Sequence, residues 1–137
     1  MKTRVKRTVM TVIILSIGII SFQSCKKDKD NEPGQDKFPL TNLTVNITSK
    51  VNYPNSNSVI VAYEVKNVSR SDYSLEKYAL NPVKVKASIV STDGTTYEAI
   101  LFVSNIKAGT AVAMEQVVAY AAGKTVDLSK TKAELTY

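Results

Sequence analysis

From Leu43 onward, apolar and polar residues alternate in short runs. Leu43, Val45 and Ile47 alternate with Thr44, Asn46 and Thr48, the period of two that a half-buried strand shows. Val59 to Val65 is rich in β-branched residues, and its pattern directs Val61, Tyr63 and Val65 inward, with Glu64 and Lys66 outward. Val83, Val85, Ala87 and Ile89 alternate with Lys84, Lys86 and Ser88, and Tyr97, Ala99, Leu101 and Val103 share one face of a return strand. Val112, Met114 and the run from Gln116 to Tyr120 predict one further strand, broken or bulged. Ala133, Leu135 and Tyr137 read as a closing strand.

Turn residues punctuate these runs. Pro54 to Ser58, Asn67 to Asp72, Lys107 to Thr110 and Ala122 to Lys124 are rich in Pro, Gly, Asn and Ser. Thr92-Asp93-Gly94-Thr95 is a hairpin signal, because Asp-Gly supplies the positive φ angles of a tight turn. About seven short strands with such spacing predict an all-β fold, an antiparallel immunoglobulin-like β-sandwich. Ser71 to Leu80 fits two descriptions. Leu75, Tyr78 and Ala79 have helical spacing that Ser71 or Asp72 would cap, or the segment is a strand interrupted before Pro82.

The chain before this region has a different character. Lys2, Arg4, Lys6 and Arg7 precede an apolar run from Val9 to Ile20, then Ser21-Phe22-Gln23-Ser24-Cys25. A basic stretch, a short apolar stretch and a small residue before a cut make a secretory signal. The apolar run is shorter than the roughly 20 residues a transmembrane anchor needs. Lys26 to Lys37 is charged or turn-forming, with Pro33-Gly34 in its middle, and reads as a flexible tether. Extended, it reaches roughly 40 Å.

Ser24-Cys25 after an apolar run resembles the lipobox of bacterial lipoproteins, with Phe22 standing where that family prefers Leu and Gln23 also departing from it. The resemblance implies cleavage before Cys25, a diacylglycerol on its thiol and an acylated α-amine. Chemistry agrees, because Cys25 is the sole cysteine and has no partner for an intramolecular disulfide. A free thiol in an oxidising compartment is a liability that a thioether to lipid removes, and several acyl chains anchor firmly. Asp28, Asp30 and Glu32, interleaved with Lys26, Lys27 and Lys29, resemble the acidic export signal of surface-exposed lipoproteins of the Bacteroides group. The same acids could open a calcium loop, but Pro33 stands where such a loop needs Gly. The expected organisation is a signal peptide at 1–24, an acylated Cys25 with tether at 25–37, and a domain at 38–137. The expected location is a bacterial cell envelope, lipid-anchored at the outer membrane with surface exposure.

The domain carries a second resemblance. Tyr63-Glu64-Val65-Lys66-Asn67-Val68-Ser69, then Val85 to Gly94, then Ile106-Lys107-Ala108-Gly109-Thr110 resemble the small extracytoplasmic immunoglobulin-like modules of bacteria, of which the FxLYD type is one. Ile89 to Gly94 departs from that group's naming motif. The resemblance bears on fold, since sandwiches carry many unrelated functions.

Charge and composition narrow the function classes. The formal charge of +6 includes Lys2, Arg4, Lys6 and Arg7, and from Phe38 onward 10 basic residues face 8 acidic ones. That near-balance argues against nucleic acid as a partner. The chain has no histidine, which excludes His-based triads, His-ligated zinc and a histidine pH switch. No cofactor or metal is expected.

The chain has seven tyrosines and no tryptophan. Tyr53, Tyr73, Tyr78 and Tyr120 fall near strand ends or loops, where a ring could contact a sugar or a protein, although tyrosine also fills half-buried strand positions well, and Tyr63 and Tyr97 suit the core. The connection from Val68 to Pro82 is longer than usual. Its Arg70, Asp72, Tyr73, Glu76, Lys77 and Tyr78 form a mixed polar and aromatic set suited to protein recognition, and Asp93 tips the hairpin. Asn67-Val68-Ser69 and two similar triplets match the N-glycosylation pattern by chance composition. These features point first to a non-enzymatic interaction or accessory module, bound to the membrane through its lipid and meeting an envelope protein. A carbohydrate-binding module holding glycan, and an assembly subunit pairing through a sheet edge, are the alternatives.

Overall fold

A computed structural model describes residues 37–137. The leader, Cys25 and the tether as far as residue 36 lie outside the described residues. Six strands occur among those described, not about seven: β1 (Leu43–Tyr53), β2 (Ser58–Asn67), β3 (Lys84–Ser91), β4 (Thr96–Phe102), β5 (Ala111–Ala119) and β6 (Val126–Thr136). They form two three-stranded antiparallel sheets, ordered β1-β2-β5 and β4-β3-β6. This order matches strands A-B-E and C′-C-F of an immunoglobulin arrangement. No strand stands in the G position among the described residues.

The central strands supply the core. Val59, Val61, Tyr63 and Val65 of β2, and Val85, Ala87 and Ile89 of β3, are all buried, as the period of two requires. Val83 and Val103 extend the core just beyond β3 and β4. Val112 to Ala119 lies in a single strand, β5, with no break. The closing strand is longer than its alternation suggests and begins at Val126.

Two bulges shape one margin of the sandwich, where β1 lies beside β6. In β1, Thr48 is an extra residue between Ile47, paired with Tyr63, and Ser49, paired with Ala62. The extra residue reverses the alternation. Val51 therefore turns outward. Lys50 donates to the Leu128 carbonyl of β6 at 2.9 Å, and Asn52 accepts from the Tyr120 hydroxyl at 2.9 Å. In β6, Leu128 to Thr131 bulge opposite Ile89, between the pairs Ser88–Lys132 and Val90–Asp127. The Asp127 carboxylate closes that bulge by accepting from the Ser129 hydroxyl at 2.6 Å and the Ser129 N–H at 3.0 Å.

The Thr92–Thr95 hairpin forms where Asp-Gly predicts it, with a different backbone. Gly94 has φ 89°, and Asp93 is not among the positive-φ residues. Gly94 N–H donates to Ser91 O at 2.8 Å and Ser91 N–H to Thr95 O at 2.8 Å. The turn is thus a type I turn closed by a left-handed glycine, which needs one positive φ rather than two.

A buried polar relay ties the two sheets together. The Tyr63 hydroxyl on β2 donates to Gln116 Oε1 on β5 at 2.7 Å, and Gln116 Nε2 donates to the Ala99 carbonyl on β4 at 2.7 Å. Burial pushes the Tyr63 hydroxyl from 10.0 up to about 12. Unfolding exposes the ring, so the unfolded chain ionises first. Stability from this group is complete below about pH 10 and falls as pH rises towards about 12. Tyr63→Phe is expected to cost about 1–2 kcal/mol at neutral pH in urea unfolding, since Gln116 loses its donor. The same variant should show a shallower alkaline loss of stability than the unmodified chain between pH 9 and pH 12, on the order of the window between the two ionisations.

Candidate functional site

The connection from β2 to β3 closes one end of the sandwich, and Asn67 organises it. This last residue of β2 is fully buried. Its Nδ2 donates to Ser71 O at 2.8 Å and to Ile106 O at 3.2 Å, while Oδ1 accepts from the Ser69 N–H at 3.0 Å and the Ser69 hydroxyl at 2.8 Å. Its backbone N–H donates to Thr110 O at 2.9 Å, and its carbonyl accepts from Gly109 N–H at 3.0 Å. One side chain thus satisfies groups from two connections, 68–83 and 103–110. An asparagine suits this position because its amide both donates and accepts. The buried amide is fully engaged in hydrogen bonds, which leaves the Asn67-Val68-Ser69 triplet unsuited to glycosylation in the folded chain.

Ser71 to Leu80 is neither a helix nor a strand of the sheets. Tyr73 makes an isolated bridge with Ile106, donating at 2.9 Å and accepting at 3.0 Å, and residues 75–80 are turns. A lone helical bond, Tyr78 N–H to Ser74 O at 3.2 Å, accounts for the helical spacing. The bridge to Ile106 and the tyrosine rings decide the conformation instead.

The expectation that Tyr73 and Tyr78 present rings to a partner is corrected here. Tyr73 is 1% exposed and Tyr78 9%. Their rings stack at 5.9 Å, and Phe38 meets them edge-on at 5.3 Å and 5.5 Å. The Tyr73 hydroxyl accepts from the buried Val83 N–H at 3.0 Å, and burial raises its pKa against the opposing effect of that bond. Tyr120 is also buried, edge-on to Tyr97. A phenol ring that covers apolar neighbours gains more from burial than from exposure once its hydroxyl has a partner. Tyr53, by contrast, is exposed.

The polar residues of this connection stay at the surface. Arg70 and Lys77 are exposed, with the Lys77 ammonium 5.1 Å from the Tyr78 ring centroid. Asp72 is exposed, but its Oδ1 accepts from Ala108 N–H at 2.7 Å and so pins the neighbouring connection. Asp93 does not join this group. It sits at the opposite end, where β3 turns into β4.

That opposite end is also tied down. Asp93 Oδ2 lies 2.5 Å from Lys124 Nζ, and Oδ1 accepts from the Ser91 hydroxyl and from Thr95 N–H. Lys124 first, then Ser91 and Thr95, hold the Asp93 carboxyl well below the usual carboxylate range. Asp93 in turn raises Lys124. Thr92 N–H donates to Thr125 O at 2.8 Å. The hairpin and the β5–β6 connection therefore form one polar, exposed surface. Sequence reading named Asp93 and missed Lys124, which is 31 positions away and carries no pattern linking the two.

No group of three or more His, Cys, Asp or Glu residues placed to hold a metal ion occurs among the described residues. A shallow hollow of about 240 Å³ on the outer face of the β1-β2-β5 sheet is lined by Thr48, Ala62, Ala113 and Glu115, among others. Glu115 is the one carboxylate there, and general acid–base chemistry needs a positioned partner for it. Comparison with protein-family models, curated proteins and solved structures finds no match to this chain.

If the two tyrosines act as core, Tyr73→Phe is expected to cost about 1–3 kcal/mol by stranding the Val83 N–H. Tyr73→Ala should cost roughly 3–5 kcal/mol through the cavity it leaves. Asn67→Ala is expected to cost roughly 3 kcal/mol, because several buried partners lose their bonds together. Urea unfolding followed by circular dichroism measures all three.

Proposed function

We propose that the chain is a lipid-anchored, non-enzymatic interaction module of a bacterial cell envelope, held at the outer membrane by Cys25 and meeting an envelope protein. One observation carries the reading: Lys37, where the chain enters the domain, and the pinned hairpin stand at opposite ends of the sandwich. Lys37 is exposed while the next residue, Phe38, is 1% exposed beneath Tyr73 and Tyr78. The chain therefore joins the domain at the end closed by the 68–83 and 103–110 connections. The Thr92–Thr95 hairpin stands at the other end, with Asp93 and Lys124 paired and exposed.

An anchored domain meets partners most readily at the end away from its tether. A contact surface already fixed by internal bonds loses little entropy when a partner binds. The supports for anchoring are those of the sequence: the leader, the Ser24-Cys25 junction and a sole cysteine. Arg70 and Lys77 lie at the end where Lys37 enters the domain. The glycan alternative loses its main support with Tyr73 and Tyr78 in the core.

Two measurements test this. Cys25→Ser is expected to abolish incorporation of a labelled fatty acid and move the chain from the detergent phase to the aqueous phase; unchanged lipid labelling would refute the anchor. A photo-crosslinking residue at Thr92 in intact cells should give one dominant adduct with an envelope protein, and the same residue at Ser71 a weaker one. Absence of any adduct at Thr92, or a dominant one at Ser71 alone, would refute the hairpin as the contact surface.

A further inference from the structure

Among the described residues four strand edges have no strand partner, and the sandwich gathers them into two margins, β1 beside β6 and β4 beside β5. The first margin is guarded. Both its strands are bulged, and Lys50 of β1 covers a carbonyl of β6. Bulges and lysines are the usual means of keeping an edge from pairing with another chain.

β4 has neither device. Its register with β3 runs without a shift from Lys84–Phe102 to Val90–Thr96. The bonds flanking it, Val103 N–H to Val83 O and Ser91 N–H to Thr95 O, set its polarity. Odd-numbered residues bond to β3, so Thr96, Glu98, Ile100 and Phe102 direct their N–H and C=O groups to the open edge. The side chains of these same residues lie on the outer face, because Tyr97 and Ala99 pack on the core. Ile100 is 59% exposed, Phe102 53% and Leu101 37%. Three consecutive exposed apolar residues on an unguarded edge are a feature that folded domains avoid unless something pairs with them.

We propose that β4 is a pairing edge for a second copy of this chain. Two β4 strands run antiparallel about a two-fold axis at Ile100 and join the β4-β3-β6 sheets of two copies into one. Charge selects a second copy as the occupant. In this register Glu98 of one copy lies opposite Phe102 of the other. The Lys84 ammonium already sits 5.6 Å from the Phe102 ring centroid. Glu98 Oε1 already lies 3.3 Å from Lys86 Nζ of its own copy, and its second carboxylate oxygen meets Lys84 of the other copy across that ring, a pair that symmetry repeats. Sliding one copy by a single residue aligns the free groups of one strand with residues of the other that already bond to β3. Moving the axis to Leu101 sets Glu98 against Ser104, beyond the end of β4. The seam is short, which places the dimer at the weak end of specific interfaces. The pairing does not depend on the anchoring of Cys25.

The test uses residues 37–137, which hold the whole described core and no cysteine. Sedimentation velocity up to roughly 1 mM is expected to show a reversible dimer. Ile100→Lys places two ammonium groups at the axis and should weaken dimerisation by about tenfold or more, with the unfolding midpoint kept. Ile100→Cys should form an interchain disulfide on mild oxidation, since facing residues of such a pair have Cα atoms about 5.5 Å apart. Val117→Cys, exposed on β5, should crosslink at least about tenfold more slowly. A monomer at every concentration, a dimer indifferent to Ile100→Lys, or equal crosslinking at positions 100 and 117 would each overturn the proposal.

Discussion

The buried amide of Asn67 is the constraint on which one whole end of this domain depends. A sandwich of two three-stranded sheets has to carry the chain from one sheet to the other after β2, after β4 and after β5. Each crossing exposes backbone groups that no strand partner satisfies. Asn67 meets that demand for two of the crossings at once, with Ser71, Ser69 and Ile106 bonded to its side chain and Gly109 and Thr110 to its backbone. No apolar residue of similar volume can do so. Once these bonds hold the two connections side by side, the bridge between Tyr73 and Ile106 follows, and with it the pocket for Phe38.

The aromatic cluster of Phe38, Tyr73 and Tyr78 turns that frame into a boundary. Phe38 enters the core one residue after the exposed Lys37, and the Tyr137 hydroxyl donates to the Phe38 carbonyl at 3.0 Å. The first and last described segments are thereby held at the same end. The far end is built from charge and backbone bonds instead. There Asp93, Lys124, Thr92 and Thr125 lock two connections above the buried Tyr120. Entry of the chain at Lys37 on one end and the Asp93–Lys124 pair on the other give the domain a direction, and the proposed function rests on that direction.

The margins differ in the same physical terms. Along β1 and β6, extra residues break the ladder and turn lysine and asparagine side chains inward to groups they can satisfy. Along β4 the ladder is regular, and apolar side chains flank open backbone groups. A regular edge is a template for another strand and a bulged one is not. β5 shares that regularity, but β4 carries the larger exposed side chains, Ile100, Leu101 and Phe102, and this is what makes its edge the proposed pairing surface.

Much of this was legible along the chain. Alternation placed Val61, Tyr63, Val65, Val85, Ala87 and Ile89 in the core, because a strand sends successive side chains to opposite faces whatever lies beyond it. Asp93-Gly94 marked a hairpin, because glycine takes up a positive φ at little cost. Even the exposed β4 residues left a signal, since Ala99 to Val103 is uninterruptedly apolar where alternation should continue. The burial of Tyr73 and Tyr78, the pairing of Asp93 with Lys124, the reversal of face after Thr48 and the reach of Asn67 to Ile106 had no such mark. Each depends on residues far apart in the chain meeting after the sheets have packed. Local periodicity determined the strands, and only the packing of one sheet on the other decided which ends were closed, which tyrosines were core and which edge stayed open.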